Sequence, residues 1–373
     1  MNPVATARRP PLRKAGPGNG LAAALLSWKT VVGVLIGAAL LYFTFRGVDM
    51  GEVLREMAQA RPLPLLAATV AATFVFWVRA WRWRAILDPV QRGTTFHSRF
   101  AAVCIGFMGN NLLPARIGEF ARAYALSRRE PVPVVASLSS LVIERLFDAI
   151  CLVLFLFGAM ALPGFPSWPD NATTDFPAIA RGLGFTVAGI FALLFFLVLR
   201  PRTAVRAFEV VANRVLPRAI RRPIVDALEA FLAGAAVLRD PRLLLASAAW
   251  SVGVWLVNGL GFWFAFQAFD LDLSFAAALF FQSCIAIGVS VPGPPGFFGT
   301  YEFAAKVVLV DLWAMEANKA LGFALGFHIA GFIPVTLMGL WYAWSLGLSL
   351  RGIAGTEKAV EEAVEAGVGR AGD

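Results

Sequence analysis

Runs of apolar residues long enough to cross a bilayer recur along this chain, and lipid accepts very few folds for such runs. A spanning helix needs about 20 consecutive apolar residues. In hydrocarbon every backbone N–H and C=O must also be paired internally, which leaves helices or closed barrels. The runs here are long and do not alternate, so they predict helices. We expect six full spans, at roughly 30–46, 64–86, 134–162, 179–199, 243–267 and 320–348. Composition agrees, with 58% of residues hydrophobic and 15% charged, against about 25% charged in a soluble domain.

Two further apolar stretches, 98–128 and 275–312, are each interrupted by proline near the middle. Their arms are short for a crossing, and 10–14 apolar residues more often mark a re-entrant segment. Both stretches therefore read as re-entrant helical hairpins; counted as spans they bring the total to eight. Basic loops stay cytoplasmic, which tests the path. Residues 163–180 contain no Lys or Arg and 268–274 carry only acids, so both belong outside. Residues 200–242 carry nine arginines against four acids and belong inside. The proposed path satisfies all three. Reading 98–128 as one kinked span would put the arginine-rich loop outside.

This path puts both termini in the cytoplasm of a multi-pass cell-membrane protein. Residues 1–24 read as a disordered basic tail, 25–351 as the membrane domain and 352–373 as an acidic tail. The twin arginine Arg8–Arg9 is followed by no clear cleavage site, so the first apolar run reads as an uncleaved anchor. Within 200–242, arginine and apolar residues mix at helical spacing, predicting amphipathic helices on anionic lipid. Nucleic-acid binding fits less well, because the segment is tethered between two spans.

The two halves look alike. Residues 30–162 and 179–348 each run span, span, hairpin, span, and loop parity gives them opposite orientations. The turns also match: LPARIGEFARAY at 113–124 and PPGFFGTYEFAAK at 294–306 both place proline, glycine, then Glu-Phe-Ala and a basic residue. Inverted repeats whose broken helices meet near the midplane are a plan shared by many transporters. A broken helix bares unpaired N–H groups and a positive dipole end. The helix restarting near Gly299 is thus expected to offer its N-terminus to an anionic headgroup; a packing kink is the plainer alternative.

Five ionisable residues fall at membrane depth: Glu119, Glu144, Arg145, Asp148 and Glu302. Each costs about 2.5–3.5 kcal/mol at a lipid-exposed helix centre, so they must face one another or water. Glu144 and Asp148 share a helix face. With Arg116 and Arg122 they predict a charged cluster near the first hairpin, serving either as a headgroup site or as a structural ion-pair network. Arg79, Arg82 and Arg84 sit near the cytoplasmic end of the second span, where arginines snorkel; guiding a phosphate is a secondary reading for Arg79 and Arg82. His328 lies on an apolar face, as a packing histidine or a proton relay, and His97 reads as a loop residue. Cys104, Cys151 and Cys284 are isolated, which argues against zinc or a disulfide framework. No hydrolase or nucleotide-binding signature is present, and we expect no metal or cofactor.

At RAWRWRAIL (79–87), GNNLLPARIGEFARAYAL (109–126), ERLFD (144–148) and PGFFGTYE (295–302), the chain resembles the flippase-like, lysylphosphatidylglycerol synthase transmembrane-region proteins. The resemblance implies movement of a lipid or lipid-linked headgroup between leaflets. It also implies that Asn111, Pro114, Arg116, Gly118, Glu119, Arg122, Glu144, Arg145, Asp148, Gly296, Gly299 and Glu302 are the functional positions, with Pro295 shaping the second turn. One departure stands out: the family often has two adjacent glycines where this chain has Gly296-Phe297. Some relatives carry an aminoacyl-transferase domain, for which Asp373 leaves no room, so we expect no synthesis of lysyl-lipid. The expectation is a lipid transporter rather than an enzyme. It would handle an anionic phospholipid or lipid-linked substrate, alone or beside a lipid-modifying partner enzyme. An integral-membrane enzyme acting on a headgroup or polyprenyl phosphate, and a non-catalytic lipid-binding subunit, are the alternatives.

Overall fold

In a computed structural model, residues 28–114, 116–168, 176–215, 225, 228, 232, 236–290 and 293–356 are described. The tails read from sequence, and most of 216–235, lie outside them. The described residues are helical, without strands. The long helices are α1 (Trp28–Phe45), α3 (Pro62–Leu87), α6 (Val134–Met160), α7 (Phe176–Leu199), α9 (Pro241–Ala268) and α12 (Ala317–Ser345). Each coincides with one of the six expected spans to within a few residues, and a shorter helix, α8 (Pro201–Val215), lies within the arginine-rich segment between α7 and α9. Asp49, Asp240 and Glu316 start their helices by accepting backbone N–H bonds, and proline occupies the first turn of α3 and α9, where its missing donor costs nothing.

Four of these helices, α3, α7, α9 and α12, are long and apolar enough to cross a membrane. α1 joins short α2 (Met50–Ala58) across an 86° bend. α6 has the length, but every stretch of it that would span contains Glu144, Arg145 and Asp148.

The two proline-interrupted stretches do break. α4 (Phe96–Leu112) and α5 (Gly118–Arg129) flank the first break; α10 (Phe275–Gly288) and α11 (Thr300–Val307) flank the second, and a π-turn at Val308–Leu312 follows. α4 and α5 fold back on one another through glycine. A Cβ on Gly118 would collide with the Gly106 carbonyl oxygen, while the Gly118 N–H donates to Asn110 Oδ1 at 3.0 Å. Across the open end of this pair, the Thr95 N–H and hydroxyl both donate to Glu130. His97 lies in the first turn of α4 against Tyr342, correcting its reading as a loop residue: Thr95 caps the helix two residues earlier than hydropathy suggested.

Contacts between elements follow a paired pattern. α3 lies along α9, antiparallel, with Trp81 stacked on Trp250 near one end and Ala68 beside Gly261 near the other. α4 packs on α12 and α10 packs on α6; α5 packs on α6 and α11 on α12; α3 meets α4 and α9 meets α10. The first helix departs from the pattern and seats on the second break. Gly33 and Gly37 of α1 admit the backbone of Gly293 and the ring of Pro294, a small-xxx-small approach, and Lys306 Nζ caps the Thr44 carbonyl at 2.6 Å.

The glycine contact in the first break yields a contrast. Gly118→Ala is expected to cost about 3 kcal/mol or more through overpacking, lowering the thermal midpoint in detergent. Gly158→Ala in α6, where a Cβ would meet nothing within 4 Å, should be neutral or stabilising by about 0.5–1 kcal/mol.

Candidate functional site

The charges of α6 gather partners from three other helices. Glu144 and Asp148 are four apart and face one way. α3 brings Arg79 and Arg82, α5 brings Arg122, and α9 supplies Trp255 and Ser251. Arg122 grips Glu144 bidentately at 2.7 and 2.8 Å, and Arg145 and Arg82 reach the same carboxylate at 2.9 and 3.0 Å. Asp148 accepts from Arg79 at 3.2 Å, from Arg82, and from the Trp255 indole at 2.9 Å. Arg82 also donates to Ser251 Oγ at 3.2 Å. Arg122 lies over the Trp83 ring at 4.0 Å, and Arg79 sits 5.3 Å from the centroids of both Phe107 and Trp255. A carboxylate buried without such donors would be intolerable, whereas bidentate charge-assisted bonds offset much of the desolvation.

The structure corrects the reading of α3. Arg79 and Arg82 do not snorkel: they are 5% and 0% exposed. Positions 79, 82, 83 and 86 share the inward face, so these two arginines are fixed by α6 while Arg84, on the other side, is the exposed one and pairs with Asp88 at 3.7 Å.

The cluster is open on one flank. Arg145 and Glu119 keep 44% and 34% of their side-chain surface exposed, and they face each other at 3.9 Å. Four guanidinium groups thus meet three carboxylates, leaving one positive charge in excess. The buried Nε donors of Arg79, Arg82 and Arg122 find no acceptor among the described residues.

Arg116 stands apart from the cluster. From the first break it donates to the Val289 carbonyl in the second and lies 5.4 Å from the Phe297 ring. Pro114 is buried beside it. Both turns use left-handed backbone: φ is +54° at Arg116, +70° at Gly296 and +61° at Phe297. Phe297 therefore occupies, at a conformational cost of about 1–2 kcal/mol, a geometry that suits glycine.

Glu302 lies away from the cluster, at the start of α11. Its Oε2 accepts the Gly299 N–H at 2.6 Å and its Oε1 meets His328 Nδ1 at 2.6 Å. At the N-terminus of α11 the Gly299 N–H is thus taken by the helix's own third residue. Tyr301 stacks on His328 at 4.2 Å. His328 is therefore paired, and this dyad contacts no member of the arginine cluster. Asn111 donates to Thr336 Oγ1 at 2.8 Å, joining α4 to α12 near Pro334.

Trp83, Trp255, Ser251 and Asn110 went unread in the sequence. Trp83 had a signal in its spacing, four residues past Arg79; Trp255 and Ser251 had none, since only the α3–α9 pairing brings them to α6. Among the described residues, no group of His, Cys, Asp and Glu could hold a metal ion.

A bundle of apolar helices around a buried, half-opened ion cluster defines a multi-pass helical membrane protein. The chain belongs to the family described as "Lysylphosphatidylglycerol synthase TM region", whose model matches residues 30–339. It is 25% identical over 361 residues to "Glycosyltransferase AglD" of Haloferax volcanii, covering 90% of this chain and 56% of that protein. It is also 24% identical over 333 residues to a "UPF0104 membrane protein" of Methanothermobacter thermautotrophicus, covering 84% of this chain and 92% of the relative. A third similarity, to "UPF0104 membrane protein MJ1078" of Methanocaldococcus jannaschii, is 21% over 231 residues, 62% of this chain and 90% of that one.

Two variants probe this geometry. Glu144→Gln removes the charge partner of the buried Arg122 and Arg82 and is expected to cost about 3–5 kcal/mol, with Arg122→Met plus Glu144→Gln costing less than the sum; thermal unfolding of the purified protein measures both. At the second turn, Phe297→Gly should exceed Phe297→Ala in stability by about 1 kcal/mol, because both lose the ring but only alanine keeps the left-handed strain.

Proposed function

We propose that this protein moves an anionic phospholipid, or a lipid-linked anionic headgroup, between the leaflets of the cell membrane, in the manner of a flippase or scramblase. The observation that carries the reading is the cluster around Glu144 and Asp148, with its one excess positive charge and an exposed Arg145–Glu119 rim. A network built only for stability satisfies its buried donors; among the described residues, three guanidinium Nε groups of this one find no acceptor. Arginine suits phosphate because its planar fork binds oxygens bidentately. The headgroup would travel past Arg145, Glu119 and Arg116.

The architecture supports the same reading. The contacts of α3, α4, α5 and α6 recur as those of α9, α10, α11 and α12, as an inverted repeat with two re-entrant hairpins requires, and Arg116 ties one break to the other. The orientation with both termini cytoplasmic follows from loop charge alone. A second reading, an enzyme acting on a lipid headgroup, is favoured by the name of the Haloferax relative. Mass spectrometry of lipids after incubation separates the two, since an enzyme makes a new mass.

The test is leaflet exchange in proteoliposomes across a panel of anionic lipids. Exchange should exceed that of empty vesicles, and Arg145→Gln and Glu119→Gln should each slow it about tenfold, the effect of ~1.4 kcal/mol. Equal rates with and without protein across the panel would sink the proposal.

A further inference from the structure

One turn along α6 from the charged rim lies a half-open groove of about 150 Å³ between α6, α7 and α10. Its walls include Ala149, Leu152 and Leu156 of α6, Leu183 of α7, and Ile287 and Ser290 of α10 or just beyond it. The lining hydroxyls are already spent: Ser283 donates to the Leu152 and Leu279 carbonyls and Ser290 to the Ala286 carbonyl. With those protons committed, the groove offers a ligand mainly apolar surface.

Both walls lead to an exposed arginine at the same end. On α6, Arg145, Ala149, Leu152 and Leu156 are spaced by four, three and four residues, so they share one face. On α10, Ser283 bonds to Leu152 and Phe280 packs 5.0 Å from Phe165, just past the end of α6. The two helices are thus antiparallel, and Ser290, seven residues beyond Ser283, lies level with Arg145, seven residues before Leu152. The residue before Ser290 is Val289, whose carbonyl holds the Arg116 guanidinium. An apolar channel headed by Arg145 on one wall and Arg116 on the other has the polarity of an anionic amphiphile.

We propose that this groove holds one acyl chain of an anionic phospholipid whose headgroup sits between Arg145 and Arg116. The proposal rests on the lipid-handling reading for the identity of the ligand, and adds where the tail lies: against α6, α7 and α10 rather than in bulk bilayer. It also gives Arg116 a second partner. A neutral carbonyl is a weaker acceptor for a guanidinium than a phosphate oxygen, so the headgroup displaces the Val289 contact.

The experiment is photolabelling of the full chain in phosphatidylcholine vesicles containing phosphatidylglycerol with a diazirine on one acyl chain, and adducts are mapped by mass spectrometry. Adducts should concentrate on Leu152, Val153 and Leu183 over exposed residues elsewhere, such as Leu66 and Leu245. Ala149→Phe and Ala286→Phe, filling the groove from opposite walls, and Arg145→Gln should each lower that labelling about tenfold. A phosphatidylcholine probe should label the groove about tenfold less. Even labelling of all lipid-facing helices, or equal labelling by the two probes, overturns the proposal; the wild-type map decides this even where a filled variant fails to fold. Concentrated adducts without leaflet exchange would keep the groove and remove the transport reading, and exchange with even labelling would do the reverse.

Discussion

The pairing of Glu144 and Asp148 with arginines from α3 and α5 is the interaction on which the rest of the bundle depends. Neither acid can stay ionised in a helix core without donors, and no single helix supplies enough of them. The acids therefore fix how α3, α5, α6 and α9 must be arranged: Arg79 and Arg82 turned inward, Arg122 over Trp83, Trp255 donating to Asp148. Between helices in lipid, apolar surface contributes little to association, because the tails are equally apolar. Polar contacts and close backbone approach must specify the packing instead. Here the cluster provides the first and Gly106, Gly118, Gly33 and Gly37 the second.

The cost of that specification shows in what is left over. Three buried Nε donors find no acceptor among the described residues, each worth about 1–3 kcal/mol unsatisfied, and Phe297 holds a left-handed backbone that glycine would adopt freely. Arg116, itself at positive φ, links the two breaks through a carbonyl and an aromatic face. Unsatisfied donors and local strain gather where proteins bind or move their ligands. In this chain the unpaired donors belong to the buried arginines of the cluster, and Arg116 and Phe297 carry strain at the two breaks that Arg116 joins. Glu302 and His328 lie elsewhere, as a cap and its partner, so the two similar turn motifs do unlike work.

Much of the helix pattern was legible in the sequence. Apolar run length located α1, α3, α6, α7, α9 and α12, and proline located both breaks. The cluster was half legible: spacing put Glu144 and Asp148 on one face and suggested Arg122 as a partner. Burial of Arg79 and Arg82 was not, because snorkelling and inward pairing leave the same residues at the same helix position, and only the rotation of α3 against α6 and α9 distinguishes them. Arg116 was drawn toward the acids by its nearness in sequence; the turn instead aims it at Val289. The bond from the Gly299 N–H to Glu302 was not drawn from the sequence, although a glutamate three residues past a helix start is the pattern that closes a cap on itself.

The central claim is that water reaches the rim of this cluster inside the bilayer while its base stays dry. Reaction with a membrane-impermeant, hydrophilic methanethiosulfonate reagent measures that directly, using Glu119→Cys, Arg145→Cys and Ser139→Cys in a background where Cys104, Cys151 and Cys284 are replaced. Ser139 provides the dry reference, being 2% exposed. The account predicts rapid modification at 119 and 145 and none at 139. Silence at both rim positions would mean the charges are sealed pins, and would contradict it.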